Sequence, residues 1–133
     1  MINMKKMLLV LFLIANIAFT GCSVAEEAGK PTKISAEDAK KRLDVEKDII
    51  LVDVRTLDEY NEAHIPEAIL LTLDTISEKA EKVLQDKEAT YFVYCRSGSR
   101  SATASAQLVK MGYKNIYDMG GIIDWPYETV VEK

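Results

Sequence analysis

The stretch YCRSGSRSATASAQL, residues 94–108, changes character twice within a short span. It begins inside an apolar run, TYFVYC (90–95), that reads as a buried strand. It then crosses a loop of Arg96, Ser97, Gly98, Ser99 and Arg100 and enters a small-residue helix over 99–111, with Gly112 as its C′ residue. A strand that feeds directly into a helix predicts an α/β architecture, because parallel strands need helical crossovers. In open parallel sheets, ligands gather beyond the carboxyl ends of the strands. Cys95 stands at such an end.

The flanking sequence repeats the alternation. Ser35-Ala-Glu-Asp38 is a helix start, with Ser35 as cap and Ala39 and Leu43 at helical spacing. DIILVDV (48–54) is a continuous β-branched run that suits a central strand. TLDEYNEA (56–63) predicts a short helix opened by Thr56, AILLTL (68–73) a strand, and SEKAEKVLQ (77–85) a helix. NIYDM (115–119) predicts the last strand, followed by Gly120-Gly121 and a final short helix over 124–130. Such alternation implies parallel pairing with helices on both faces.

The loop after Cys95 has its own chemistry. A loop that opens a helix leaves backbone N–H groups unpaired, and the helix dipole adds positive potential. Gly98 permits close approach, Ser97 and Ser99 add donors, and Arg96 and Arg100 add charge. Positive surroundings favour a thiolate over a thiol. The pattern suits a nucleophilic cysteine that carries a small anionic group. A buried strand-end cysteine before a basic turn is the plainer alternative. Two arginines, two serines and a glycine in succession weigh against it.

The amino terminus reads differently. Lys5 and Lys6 precede an apolar run from Met7 to Phe19, and FTGC ends at Cys22. This is the layout of a signal peptide over 1–21, and the run is shorter than the roughly 20 residues of a spanning helix. FTGC resembles a bacterial lipobox, which implies lipidation of Cys22 and an exported, membrane-anchored protein facing a periplasm or the cell exterior. Residues 22–33 then form a flexible tether, and the domain occupies 34–133. Without residues 1–21, 15 basic residues face 21 acidic ones, a net charge of −6. That balance excludes nucleic acid as an expected partner. With Cys22 lipidated, Cys95 is the only thiol of the chain's two cysteines left, and one histidine, His64, offers no metal cluster.

Two segments carry a family resemblance: LVDVRTLDEYNEAHIPEAILL (51–71) and YCRSGSRSATASAQLVKMGYKNIYDMGGIIDW (94–125). With their spacing they cover nearly all of 34–126, and over that length the chain resembles a single rhodanese domain of the sulfurtransferase family. The resemblance implies an open five-stranded, mostly parallel sheet with helices on both faces. It implies that Cys95 accepts sulfane sulfur as a persulfide from thiosulfate or a related small anionic donor, and passes it to cyanide or to a small or protein thiol. The 96–100 loop would wrap the outer sulfur, Arg100 and Arg96 would attract the donor, and neither metal nor organic cofactor is needed. Related phosphatases resemble Cys-x5-Arg, whereas four residues separate Cys95 from Arg100 here, a smaller ring that favours sulfur over phosphate; no general acid for a phosphatase is evident nearby, Asp118 being the one candidate left.

The remaining matched residues have plainer expectations. Asp53 and Arg55 match the family's strand-end pattern, with Arg55 expected to pair with Glu59 and Asp53 able to tune the site. Trp125 is expected to be core and His64 structural, with Asp53, Arg55 and His64 as the residues that could support the site. Ala63 and Glu67 depart from the family's glycines, and either would be strained if its φ were positive. A non-catalytic rhodanese-like binding module at the membrane is the alternative, and the intact thiol and loop count against it. A thiol–disulfide oxidoreductase would need the second cysteine of a C-x-x-C motif.

Overall fold

The structure, a computed structural model, describes residues 29–133. The signal-peptide reading of 1–21, the lipidation of Cys22 and most of the tether lie outside the described residues. Among those described, no helix is long and apolar enough to cross a membrane.

Five strands form one sheet in the order β1-β5-β4-β2-β3, and every pairing is parallel. The strands are β1 (Thr32–Lys33), β2 (Ile50–Asp53), β3 (Ile69–Leu70), β4 (Thr90–Cys95) and β5 (Asn115–Gly121). The helices are α1 (Ala36–Val45), α2 (Leu57–Glu62), α3 (Ile76–Val83) and α4 (Ser99–Lys110). The chain runs outward from β2 to edge strand β3, then returns to place β4 on the other side of β2. The carboxyl ends of β2 and β4 therefore flank the point where the winding reverses, the usual place for a ligand.

Side-chain parity divides the core. Along β4, Tyr91, Val93 and Cys95 pack with Val52, Ile76, Ala104 and Leu108 on the α3–α4 face. Phe92 and Tyr94 pack with Ala39, Leu51, Ile65 and Trp125 on the other face. Both sides of β4 are covered, which is why its sequence is apolar without a polar alternation.

Local signals set the helix ends. Ser35 accepts a hydrogen bond from the Asp38 N–H at 3.1 Å. Thr56 and Glu59 close a capping box at the start of α2. Helix α4 ends in a Schellman turn, with the Tyr113 N–H on the Leu108 carbonyl and the Gly112 N–H on that of Val109.

Three local expectations change. Thr32 and Lys33, read as tether, pair with Tyr117 and Asp118 as an edge strand. The strand expected over 68–73 shortens to two residues, because a 3-10 turn at Leu73–Thr75 leads at once into α3. The closing helix over 124–130 is replaced by a 3-10 turn at Ile122–Asp124. Pro126 pushes the preceding residue out of helical conformation, and Trp125 is extended at φ −89° and ψ 105°. Of the two departures from glycine, Ala63 is extended, whereas Glu67 has φ 68° and carries the left-handed strain.

Candidate functional site

Strand β4 delivers Cys95 to the edge of the core, and the residue is 1% exposed. Gly98, three residues on, has φ 112° and is the N-cap of α4. This left-handed turn brings the Gly98 N–H back onto Cys95 Sγ at 3.0 Å. No side chain caps the helix start. The N–H groups of Ser99, Arg100 and Ser101 lie in its first turn and have no intrahelical acceptor. Thiol and open amides thus share one short loop.

That loop rests on β5. A Cβ on Gly121 would lie 2.1 Å from the Arg96 carbonyl oxygen and 2.6 Å from Ser97 Cα, so only glycine fits there. The Ile123 N–H donates to the same Arg96 carbonyl at 3.2 Å. Buried Asp118 ties the two sides together: its Oδ1 accepts from Ser101 Oγ at 2.7 Å and from the Gly120 N–H at 2.9 Å. A register shift in the β4–β5 ladder, opposite Val93 and Tyr94, accommodates this corner.

The two loop arginines differ. Arg96 is exposed and has no side-chain partner among the described residues, as is also true of Ser97 and Ser99. Arg100 is bidentate to Glu59, with Nη1 and Nη2 donating at 2.7 and 2.8 Å. The hydrogen-bonded Arg100 guanidinium, foremost, holds the Glu59 carboxyl down at about 2, despite partial burial. The Arg55–Glu59 pair expected from helical spacing does not form. Arg55 precedes the helix and turns inward, donating from Nη2 to Asp53 Oδ2 at 2.7 Å and to the Ala63 carbonyl at 2.7 Å. Burial opposes the Arg55 charge, and Asp53 more than offsets it.

Asp53 and Arg55 therefore form a closed, buried pair at the end of β2. Tyr94 lies beneath it, its hydroxyl accepting from the Ile65 N–H at 3.1 Å, and burial pushes its phenol well up. His64 is stacked on Tyr60 and pairs through its backbone with Val130, so its contacts fix the carboxyl-terminal segment rather than the loop. Trp125 is core and bonds the Glu128 carbonyl. A depression of about 490 Å³ opens beside Arg100, between Leu57, Thr72, Leu73 and Asp74. A second groove of about 520 Å³, between α1 and Trp125, contains none of the loop residues.

A thiol thus stands at the tip of a parallel strand, beside an uncapped helix start. The chain belongs to the rhodanese-like domain family, whose model matches residues 35–126. It is 36% identical over 94 residues to a sulfurtransferase of Allochromatium vinosum, covering 70% of this chain and 86% of that protein. It is 39% identical over 80 residues to the thiosulfate sulfurtransferase GlpE of Coxiella burnetii, covering 59% and 73%. Among solved structures, a rhodanese-like domain protein from Staphylococcus aureus matches with a TM-score of 0.67 at 29% identity, over 77% of this chain and 99% of that one. These similarities support a sulfur-transfer function.

Sequence reading missed Glu59 as the partner of Arg100, Ser101, Gly121 as the floor of the loop, and the bracing role of Asp118, which it named only as a possible phosphatase acid. The Thr56-x-x-Glu59 box held a usable signal, because it turns that carboxylate back toward the helix start.

Proposed function

We propose that the protein is a sulfurtransferase in which the Cys95 thiolate takes sulfane sulfur from thiosulfate or a related donor. The thiolate attacks the outer sulfur, the donor's S–S bond breaks, and its electron pair leaves on sulfite or a thiolate. Cys95 then carries a persulfide, which a thiol or cyanide discharges by the reverse exchange. The observation that carries this reading is the Gly98 N–H on Cys95 Sγ beside an uncapped helix start. Ser97, Ser99 and the first amides of α4 are the cradle for the outer sulfur, and Arg96 and Arg100 are the nearby cations.

The test is direct. Purified protein is incubated with excess thiosulfate, freed of donor and weighed by mass spectrometry. One added sulfur, mapped to the Cys95 peptide, absent from Cys95→Ser and removed by cyanide, is expected. An unloaded Cys95 under donor excess contradicts the reading.

The same proposal places the protein outside the cytoplasm, tethered through a lipid on Cys22, as the leader-like sequence and FTGC suggest. Cys22→Ser is expected to abolish labelling by a fatty-acid analogue in cells; persistent labelling contradicts the tether.

A further inference from the structure

We infer that Glu59 is a specificity-determining residue: by quenching Arg100 it sets the site for monoanionic persulfide donors over dianionic thiosulfate, and leaves Arg96 as the operative cation. The inference rests on the sulfurtransferase reading and concerns its donor.

The charges around the loop carry the argument. The loop carries two cations, Arg96 and Arg100; Glu59 pairs with Arg100, buried Asp118 is held by Ser101, and Asp74 lines the depression beside Arg100. Asp53 and Arg55 cancel within their own buried pair. Both terminal nitrogens of Arg100 are occupied by Glu59, and neither side chain is freely solvated, at 33% and 23% exposure. Glu59 is further held by Thr56, whose N–H and hydroxyl both donate to Oε2 at 3.0 Å. Arg100 is therefore not free to swing onto a donor. Its charge is matched before any donor arrives. Only Arg96 and the backbone amides remain to offset the donor's charge.

The two donor classes load that site differently. With thiosulfate, a thiolate meets a dianion, and the products are the Cys95 persulfide anion and sulfite. With an alkyl persulfide, a thiolate meets a monoanion, and the products are the same persulfide and an alkyl thiolate. Each exchange breaks one S–S bond and forms another, so the donor's charge is the main difference. A site with no surplus of positive side chains penalises the dianion more.

The test compares second-order rates of Cys95 loading by thiosulfate and by 2-hydroxyethyl persulfide in wild type and Glu59→Gln. Glutamine keeps the capping box, since it can still accept from the Thr56 N–H. Wild type is expected to load faster from the persulfide. Glu59→Gln is expected to raise the thiosulfate rate roughly tenfold, as for one unmasked charge near a partly solvated site. The persulfide rate should change by about half as much on a logarithmic scale, since the donor carries half the charge. Equal changes for both donors, or no change, overturn the inference. Arg96→Gln, at an exposed and unpartnered position, guards against a folding artefact. It should slow both donors, thiosulfate more, and an unaffected variant likewise overturns the inference. If neither donor loads Cys95 in wild type, the sulfurtransferase reading falls and this inference with it; if both load without the charge effect, only the inference falls.

Discussion

Two adjacent strand ends each place an arginine beside a carboxylate, and they use the pair in opposite ways. At the end of β2, Arg55 is 5% and Asp53 0% exposed, and the guanidinium also reaches the Ala63 carbonyl. The Arg55 main-chain N–H, Nε and Nη2 all donate to Asp53 or Ala63, and both side chains are buried, so the corner is closed. At the end of β4, the pair is partly exposed and lies beside a thiol and a helix start whose amides lack intrahelical acceptors. The same ion-pair chemistry braces the scaffold in one corner and adjusts a reactive surface in the other. The difference lies in which donors are left over.

Several changes would break or sharpen that contrast. Gly121→Ala should have the largest effect, because its Cβ would collide with the Arg96 carbonyl and displace the loop. Displacement by about 1 Å is expected to slow sulfur loading by about 100-fold. A rate within threefold of wild type would show that the loop does not need its β5 floor. Asp53→Ala should act on stability instead. It strands a buried guanidinium at a cost of about 3 kcal/mol or more, and calorimetry should find the melting temperature lower by about 12–24 °C. A shift of only a few degrees would mean that water reaches Arg55.

The open corner should make stability depend on pH through Glu59. Because the folded-state pKa of Glu59 is depressed to about 2 from an ordinary 4.5, its contribution is present above pH 4.5 and is lost as pH falls toward 2. The stability difference between wild type and Glu59→Gln should therefore be about 1 kcal/mol at neutral pH, after solvent screening. It should shrink across that acid window in denaturant titrations. A difference independent of pH would place the contribution in the capping box alone. The smallest effect belongs outside both corners. Glu67→Gly relieves a left-handed residue and should gain about 0.5 kcal/mol, a rise of about 2–4 °C. An unchanged or lower melting temperature would mean that the Glu67 side chain compensates its own strain.

The parts legible in sequence were those written in short-range chemistry. The Ser35 cap, the Thr56–Glu59 box, the apolar β4 run and the Gly112 terminus each depend on neighbours a few residues apart. Arg55 was assigned to Glu59 by helical spacing, yet it precedes Thr56, the N-cap. There the strand period of two puts it on the same side as Asp53. Strand β1 escaped because a two-residue edge strand has no periodicity and exists only through its pairing with β5. The bracing role of Asp118 and the place of Gly121 were invisible because their work is tertiary: they meet Ser101, Arg96 and Ser97 across the β4–β5 corner.

The central claim is that the open amides after Cys95 receive the transferred sulfur while the neighbouring corner stays shut. The most direct measurement is the backbone amide NMR spectrum of the protein before and after loading with sulfur from thiosulfate. The account expects the resonances of Gly98, Ser99, Arg100 and Ser101 to move on loading and to return when cyanide removes the sulfur. Those of Asp53, Val54 and Arg55 should stay in place. A loaded protein in which residues 98–101 do not shift, or in which both corners shift equally, would contradict it.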